Sequence, residues 1–271
     1  MDLPNIESYL RPENCQAVKN WQPGTAWLAG GTWLFSEPQP HLKILVDLAR
    51  FGWSEIEVTP EGLAIGATCQ MEKLLHFSYP ENWTAVKALQ SAVHQLASFK
   101  VTNMATVGGN LCLALPVSNF APVMVALGAS YEILDRNYQP YRISALEFQT
   151  GAQKTVLQPG EVLRKIFIPQ PNLEWLVNFK RIGVTPSAYA LSIVATAYQP
   201  KTSKVRFGLG ACVPAPRLIE FSHIPTSAQI EEALLSQISM SEFIEDDKAS
   251  ADYRKHLTKV LMVRSLAELT I

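Results

Sequence analysis

TVGGNLCLALPVSNFAPVMVALGA, residues 106–129, joins an uncharged glycine pair to a long apolar segment. Gly108 and Gly109 let the backbone take angles closed to other residues and leave no side chain in a ligand's way. Successive main-chain N–H groups in such a loop form a concavity for an anion such as a pyrophosphate, with no cationic side chain required. A loop of the same chemistry stands far upstream, Leu28-Ala29-Gly30-Gly31-Thr32, directly after the apolar run Ala26–Leu28. One glycine pair alone usually makes only a turn. Two such loops, each with a neighbouring Thr hydroxyl, point to a two-sided clamp on one extended phosphate ligand.

The rest of the composition narrows the class. The chain has 271 residues, 48% hydrophobic and 17% charged, with a formal net charge of −1. That describes a globular protein of one to two domains with no global attraction for nucleic acid or acidic membranes. No apolar run approaches the roughly 18 residues of a membrane span. The segment MDLPNIESYL lacks the basic-then-apolar pattern of a secretion signal, so a cytoplasmic protein is expected. Cys15, Cys69, Cys112 and Cys212 are scattered and without C-x-x-C spacing, which favours buried free thiols over a metal or cluster site. The histidines form no i, i+3 or i, i+4 ligand pair.

In chain order, a short helix is expected near Asn14–Asn20, then strands at Trp27–Leu28 and Leu42–Asp47. Ile56–Val58 and Leu63–Ile65 flank a Pro-Glu-Gly turn and predict a hairpin. Thr68 resembles a helix start. Val86, Leu89, Val93 and Leu96 recur at three and four, predicting an amphipathic helix over 84–97. Asn119 is placed to cap a helix containing Pro122. Strands are expected next at Tyr131–Leu134, Tyr141–Ile143 and Ile166–Ile168, and Pro169-Gln170-Pro171 marks a domain boundary. Beyond it, Leu191–Tyr198 and Lys204–Val213 read as a hairpin. Helices come last, over 227–238 and 249–269, the second with an apolar stripe of Tyr253, Leu257, Val260 and Leu261.

Several chemistries are excluded. Gly208-Leu209-Gly210 lacks the third glycine of a dinucleotide fingerprint and runs into Pro214 and Pro216, so it reads as a strand of small residues. No glycine loop is followed by Gly-Lys-Ser/Thr, and there is no G-x-S-x-G. What remains is cofactor binding without an evident acid, base or nucleophile.

The segments LAGGT (28–32), TNMATVGGNL (102–111), PVSNFAP (116–122), Glu161-Val162-Leu163, Ile166–Pro169 and Phe179-Lys180-Arg181 together resemble the FAD-binding subunit of molybdenum hydroxylases, the xanthine dehydrogenase and carbon monoxide dehydrogenase family. The resemblance implies an α+β chain. A two-subdomain FAD-binding domain of the vanillyl-alcohol-oxidase/PCMH type would span 1–170, split near 53–60. A small α+β domain like the C-terminal one of the carbon monoxide dehydrogenase flavoprotein would span 171–271. It also implies an FAD site. Ala29, Gly30, Gly31 and Thr32 would face the pyrophosphate from one side, and Thr106, Gly108, Gly109 and Asn110 from the other. Leu28 and Val107 would be further cofactor-binding positions in these loops, and Trp33 would pack over the flavin or narrow its mouth. Asn119 would reach the adenosine, Leu163 would offer its main chain near the adenine, and Lys180 and Tyr189 would lie by the flavin ring. Partners implied are a molybdopterin-binding large subunit and a 2Fe-2S small subunit, with NAD+, oxygen or another acceptor receiving the electrons.

Three positions depart from the family pattern: Trp33 after the first loop, Thr102 in place of Arg, and Asn119 in place of Asp. They motivate one other reading, a non-enzymatic scaffold that has lost its flavin, and a self-contained flavin oxidase or dehydrogenase stands beside it as a second. Refusal of FAD would favour the first, and turnover without partners the second.

Overall fold

Short β-leaning segments punctuated by proline and glycine assemble into three main sheets in a computed structural model, which describes residues 3–18, 20–96, 99–185 and 188–270, with backbone alone at 99 and 100. The first sheet is parallel. Its strands β1 (Ser8–Leu10), β2 (Thr25–Leu28) and β3 (Ile44–Asp47) lie in the order β1–β3–β2, with Leu28 opposite Asp47. The second is antiparallel, in the order β4–β5–β10–β6–β7: β4 (Ile56–Thr59), β5 (Gly62–Gly66), β6 (Ser130–Leu134), β7 (Pro140–Ser144) and β10 (Val162–Pro169). A ribbon of β8 (Gln149–Gly151) and β9 (Lys154–Thr155) falls between β7 and β10 in sequence. The third is a meander of β11 (Leu176–Gly183), β12 (Ala190–Gln199), β13 (Lys204–Gly210) and β14 (Arg217–Phe221).

Among the described residues, five helices of seven residues or more cover these sheets: α1 (Val86–His94), α2 (Val107–Leu113), α3 (Phe120–Ala126), α4 (Ser227–Gln237) and α5 (Ala251–Ala267). The apolar spacing in α1 works as expected, burying Val86, Leu89 and Val93 against the main core. All seven residues of α3 are buried, because the helix packs on the third sheet as well as on its neighbouring helices. The close approach explains the glycines of β13. A Cβ at Gly208 would collide with the Pro122 carbonyl oxygen, and one at Gly210 would sit 2.5 Å from Pro122 Cγ. Buried Gln149 adds a polar tie, its amide Nε2 donating to the carbonyls of Ala114 (2.9 Å) and Pro214 (3.0 Å).

Some expectations are corrected. The N-terminal helix shrinks to one 3-10 turn, Cys15–Ala17, where Asn14 accepts from the Ala17 N–H. Thr68 starts no helix; a single helical turn comes later, at Lys73–His76. The end of the 84–97 prediction falls on Ala97, outside the described residues, and α1 closes at His94. The inward face of α5 is rotated by one residue from the predicted stripe. It presents Arg254, Thr258, Leu261, Met262, Ser265 and Leu266, while Tyr253 is 51% exposed. Polar residues can take that face where partners meet them: Thr258 hydrogen-bonds Ser192 at 2.8 Å and the Arg254 carbonyl at 2.8 Å.

The cysteines are free, and burial pushes the Cys15 and Cys69 thiols up to about 11. No helix among the described residues is long and apolar enough to cross a membrane.

Candidate FAD-binding site

β2 delivers the first glycine loop at the carboxyl end of the parallel sheet, where crevices outside strand ends commonly receive ligands. Gly31 takes φ +68, and a side chain there would also meet the Phe35 ring at 2.6 Å. The chain then closes a tight turn, Phe35 N–H to Gly31 O at 2.9 Å and Ser36 N–H to Trp33 O at 2.9 Å. Among the described residues, the N–H groups of Gly30, Gly31 and Thr32 donate to no protein group. All three belong to half-buried residues, so their N–H groups are left for a ligand or for water.

The second loop comes to meet the first. A Cβ at Gly30 would lie 2.9 Å from the Met104 carbonyl carbon and 3.2 Å from Ala105 Cα, and one at Gly109 would lie 4.0 Å from Ala29 Cβ. Segments more than 70 residues apart in sequence are thus brought into contact, as the paired-loop reading requires.

The two sides are not equivalent, however. In the second loop every N–H from Val107 to Asn110 is already used. Val107 donates to Cys69 O (2.9 Å), Gly108 to Ala67 O (3.0 Å), Gly109 to Thr106 Oγ1 (3.0 Å) and Asn110 to Thr106 O (3.0 Å). Val107 is fully buried, and Gly108 is a glycine because a Cβ would sit 2.5 Å from the Ala67 carbonyl oxygen. The expectation that the second loop offers successive main-chain N–H groups to a phosphate is therefore corrected: those of Val107 and Gly108 brace the loop against the chain leaving β5, and those of Gly109 and Asn110 are spent on Thr106. Thr106 caps α2 through its oxygen, which leaves only its hydroxyl proton to give. Asn110 accepts from Ser118 Oγ at 2.5 Å, so its amide nitrogen remains the outward donor.

The remaining predicted residues differ in exposure and in partners. Leu28 is buried, while Ala29, Thr32 and Trp33 are half-buried. Asn119 is 1% exposed and its Nδ2 donates to Ala92 O at 3.0 Å, so it neither caps α3 with its side chain nor opens toward the loops. It pins the start of α3 to α1 instead. Leu163 is buried beside an irregularity in β10, and the Arg164 carbonyl there accepts from Ala67 N–H at 2.9 Å. Ala67 in turn accepts from Gly108, so this strand is wired to the second loop.

Lys180 pairs with Glu268 of the C-terminal segment at 2.6 Å. Hydrogen bonds from Lys180 and then Asn178 hold the Glu268 carboxyl below its ordinary value. Tyr189 is 56% exposed, with the Lys248 ammonium 5.9 Å from its ring centre. Neither residue contacts the glycine loops.

Residues that escaped the sequence reading are Met104 and Ala105, whose backbone forms the contact with Gly30, and Ser118, which orients Asn110. Nothing in their residue types marks them; only the glycine opposite hints at a close neighbour. Two surface hollows, one lined by Ser54, Gln70, Lys73 and Phe77 and the other by Cys15, Phe51, Trp53 and Tyr138, include no residue of either loop.

Comparison with known proteins agrees with this geometry. Residues 5–171 match the family model described as the FAD binding domain in molybdopterin dehydrogenase. The glyceraldehyde dehydrogenase medium chain of Sulfolobus acidocaldarius is 26% identical over 279 aligned positions, covering 96% of this chain and 97% of that one. A xanthine dehydrogenase of Oryza sativa subsp. japonica is 30% identical over 134 residues, 46% of this chain, and the match spans only 10% of that relative's length. Among solved structures, a cyanide-inactivated Cu,Mo-CO dehydrogenase superposes with a TM-score of 0.84 at 21% identity, covering 99% of each chain. Quinoline 2-oxidoreductase from Pseudomonas putida 86 gives 0.81 at 23% identity, covering 99% of this chain and 98% of that one. By fold, by paired loops and by family model over 5–171, the chain belongs to the FAD-binding domains of molybdopterin dehydrogenases.

Proposed function

We propose that this chain is the FAD-binding, electron-transferring subunit of a molybdenum hydroxylase complex. The observation that carries the reading is the contact between residues 29–32 and 104–110, with three uncommitted N–H groups on the first side. That donor set is neutral, adjacent and acceptor-poor, which suits a diphosphate. Gly30, Gly31 and Thr32 would hold it, and Thr106, Gly109 and Asn110 would form the opposing wall. The Leu163 main chain would lie on the adenine side, with Lys180 and Tyr189 toward the flavin ring. Asn119 would act from behind, by fixing α3. FAD, when bound, supplies one- and two-electron transfer. The protein's task is to bind and orient it.

The Sulfolobus relative is named a medium chain, which suits a subunit that works with companion chains. The partners assigned here are a molybdopterin-binding large subunit and a 2Fe-2S small subunit, with NAD+, oxygen or another acceptor taking the electrons. We place the FAD-binding part at 1–170, divided near 53–60, and an accessory domain at 171–271, acting in the cytoplasm. The test is titration of the purified chain with FAD. Visible flavin bands should appear on the protein, and ADP should compete while riboflavin does not. A chain that stays colourless at saturating FAD overturns the reading.

A further inference from the structure

The lobe that carries the first glycine loop is joined to the rest of the molecule by very little polar structure. Among the described residues, no ion pair and only two hydrogen bonds connect residues 3–52 with the chain beyond residue 52. One is Tyr138 Oη to Val18 O at 2.5 Å. The other is Trp27 Nε1 to Glu161 O at 3.0 Å. The rest of the junction is the close approach of Gly30 to the Met104 and Ala105 backbone, the packing of Trp21 on Gly160, and an apolar cluster of Cys15, Leu48, Leu134 and Val162 with Trp27, Ala29 and Phe51 against it. Apolar contacts are non-directional, so away from the loop contact itself they hold the lobes together without fixing their angle closely.

Trp27 stands two residues before Ala29, and Glu161 two residues before Leu163. We infer that the Trp27 indole N–H is a positioning group, a strut that sets the separation between the first glycine loop and the β10 edge and so preorganises the FAD clamp. This rests on the reading of residues 29–32 and 163 as FAD contacts. The indole is itself held in one orientation, tilted at 36° against Trp21 with 4.7 Å between ring centres and edge-on to Phe51 at 6.2 Å. Trp21 packs on Gly160, next to the accepting residue, with a Cβ there 3.3 Å from the indole, yet its own N–H makes no hydrogen bond among the described residues. Both tryptophans thus pack at the same junction, and only Trp27 adds a directional bond across it.

The experiment compares Trp27→Phe with Trp21→Phe. Both lose indole area from the same pair and should lower the melting temperature of the FAD-free protein, Trp27→Phe by somewhat more because it also gives up the bond to Glu161. Only Trp27→Phe should weaken FAD binding, by about five- to tenfold, the worth of one intramolecular hydrogen bond spent on preorganisation. Equal FAD affinity in Trp27→Phe and wild type overturns the strut while the FAD assignment stands. Equal loss in both variants also overturns it, as would a wild type that takes no FAD, which removes the site reading too. Should Trp27→Phe not fold, the indole N–H of Trp27 in 15N-tryptophan-labelled wild type serves. FAD should slow its exchange with solvent at least about tenfold, and unchanged exchange rejects the proposal.

Discussion

Gly30→Ala gives a chain that folds and loses FAD. The added methyl meets the Met104 carbonyl group, and neither partner can yield by rotating a side chain because both are backbone. The two loops must part by about 1 Å, a displacement that commonly costs about 100-fold in a preorganised site, near 2.7 kcal/mol. Gly52→Ala is the matched control. Gly52 has φ +71 with open space around it, so the substitution costs about 1 kcal/mol of stability through backbone strain and leaves the clamp untouched. FAD titration with a thermal melt of each FAD-free variant checks both. Wild-type affinity in Gly30→Ala would mean that the loop contact does not hold the cofactor.

Asp246→Asn removes the charge partner of a deeply buried guanidinium. Arg254 is 3% exposed, grips both Asp246 oxygens at 2.8 and 2.7 Å, and also donates to the carbonyls of Leu191 (3.0 Å) and Ala211 (3.1 Å). Leaving it uncompensated costs about 3 kcal/mol, the low end for a broken buried pair because Asp246 keeps 34% exposure. In a domain this large that lowers Tm by about 6–12 °C. Burial by itself would raise the Asp246 carboxyl, but hydrogen bonds from Arg254 and from the N–H groups of Lys248 and Ala249 hold it below its ordinary value. A depressed carboxyl stabilises above its unfolded value of about 3.9 and stops doing so as pH falls through the lower folded value. The Tm gap between wild type and variant should accordingly narrow between about pH 7 and about pH 3. A gap independent of pH would show that the charge is not what matters.

Local chemistry carried much of this molecule into its sequence. The hairpin at 56–65, the strands of the second sheet and the long C-terminal helix follow from periodicity and turn residues, which act over a few positions. The meeting of Gly30 with Met104 was legible only as a family resemblance, since no residue type announces a neighbour so far along the chain. Hydrogen-bond commitments were not legible at all. Val107, Gly108 and Asn119 have the right identities for ligand contacts, but whether an N–H or amide is free depends on what β5 and α1 place opposite it. The same holds for Arg254. A charged residue on a helix face reads as solvated until a carboxylate and two carbonyls are found waiting.

The burial of α3 on every side has a bearing on how the protein can be cut. Residues 5–171 match a family model of their own, which invites expression of that portion as a stand-alone piece. Severed there, the fragment would present to water the surface where Pro122 now rests on the bare backbone of Gly208 and Gly210. Its self-association on a sizing column, cured by restoring the missing segment, would mark the two parts as a single cooperative body.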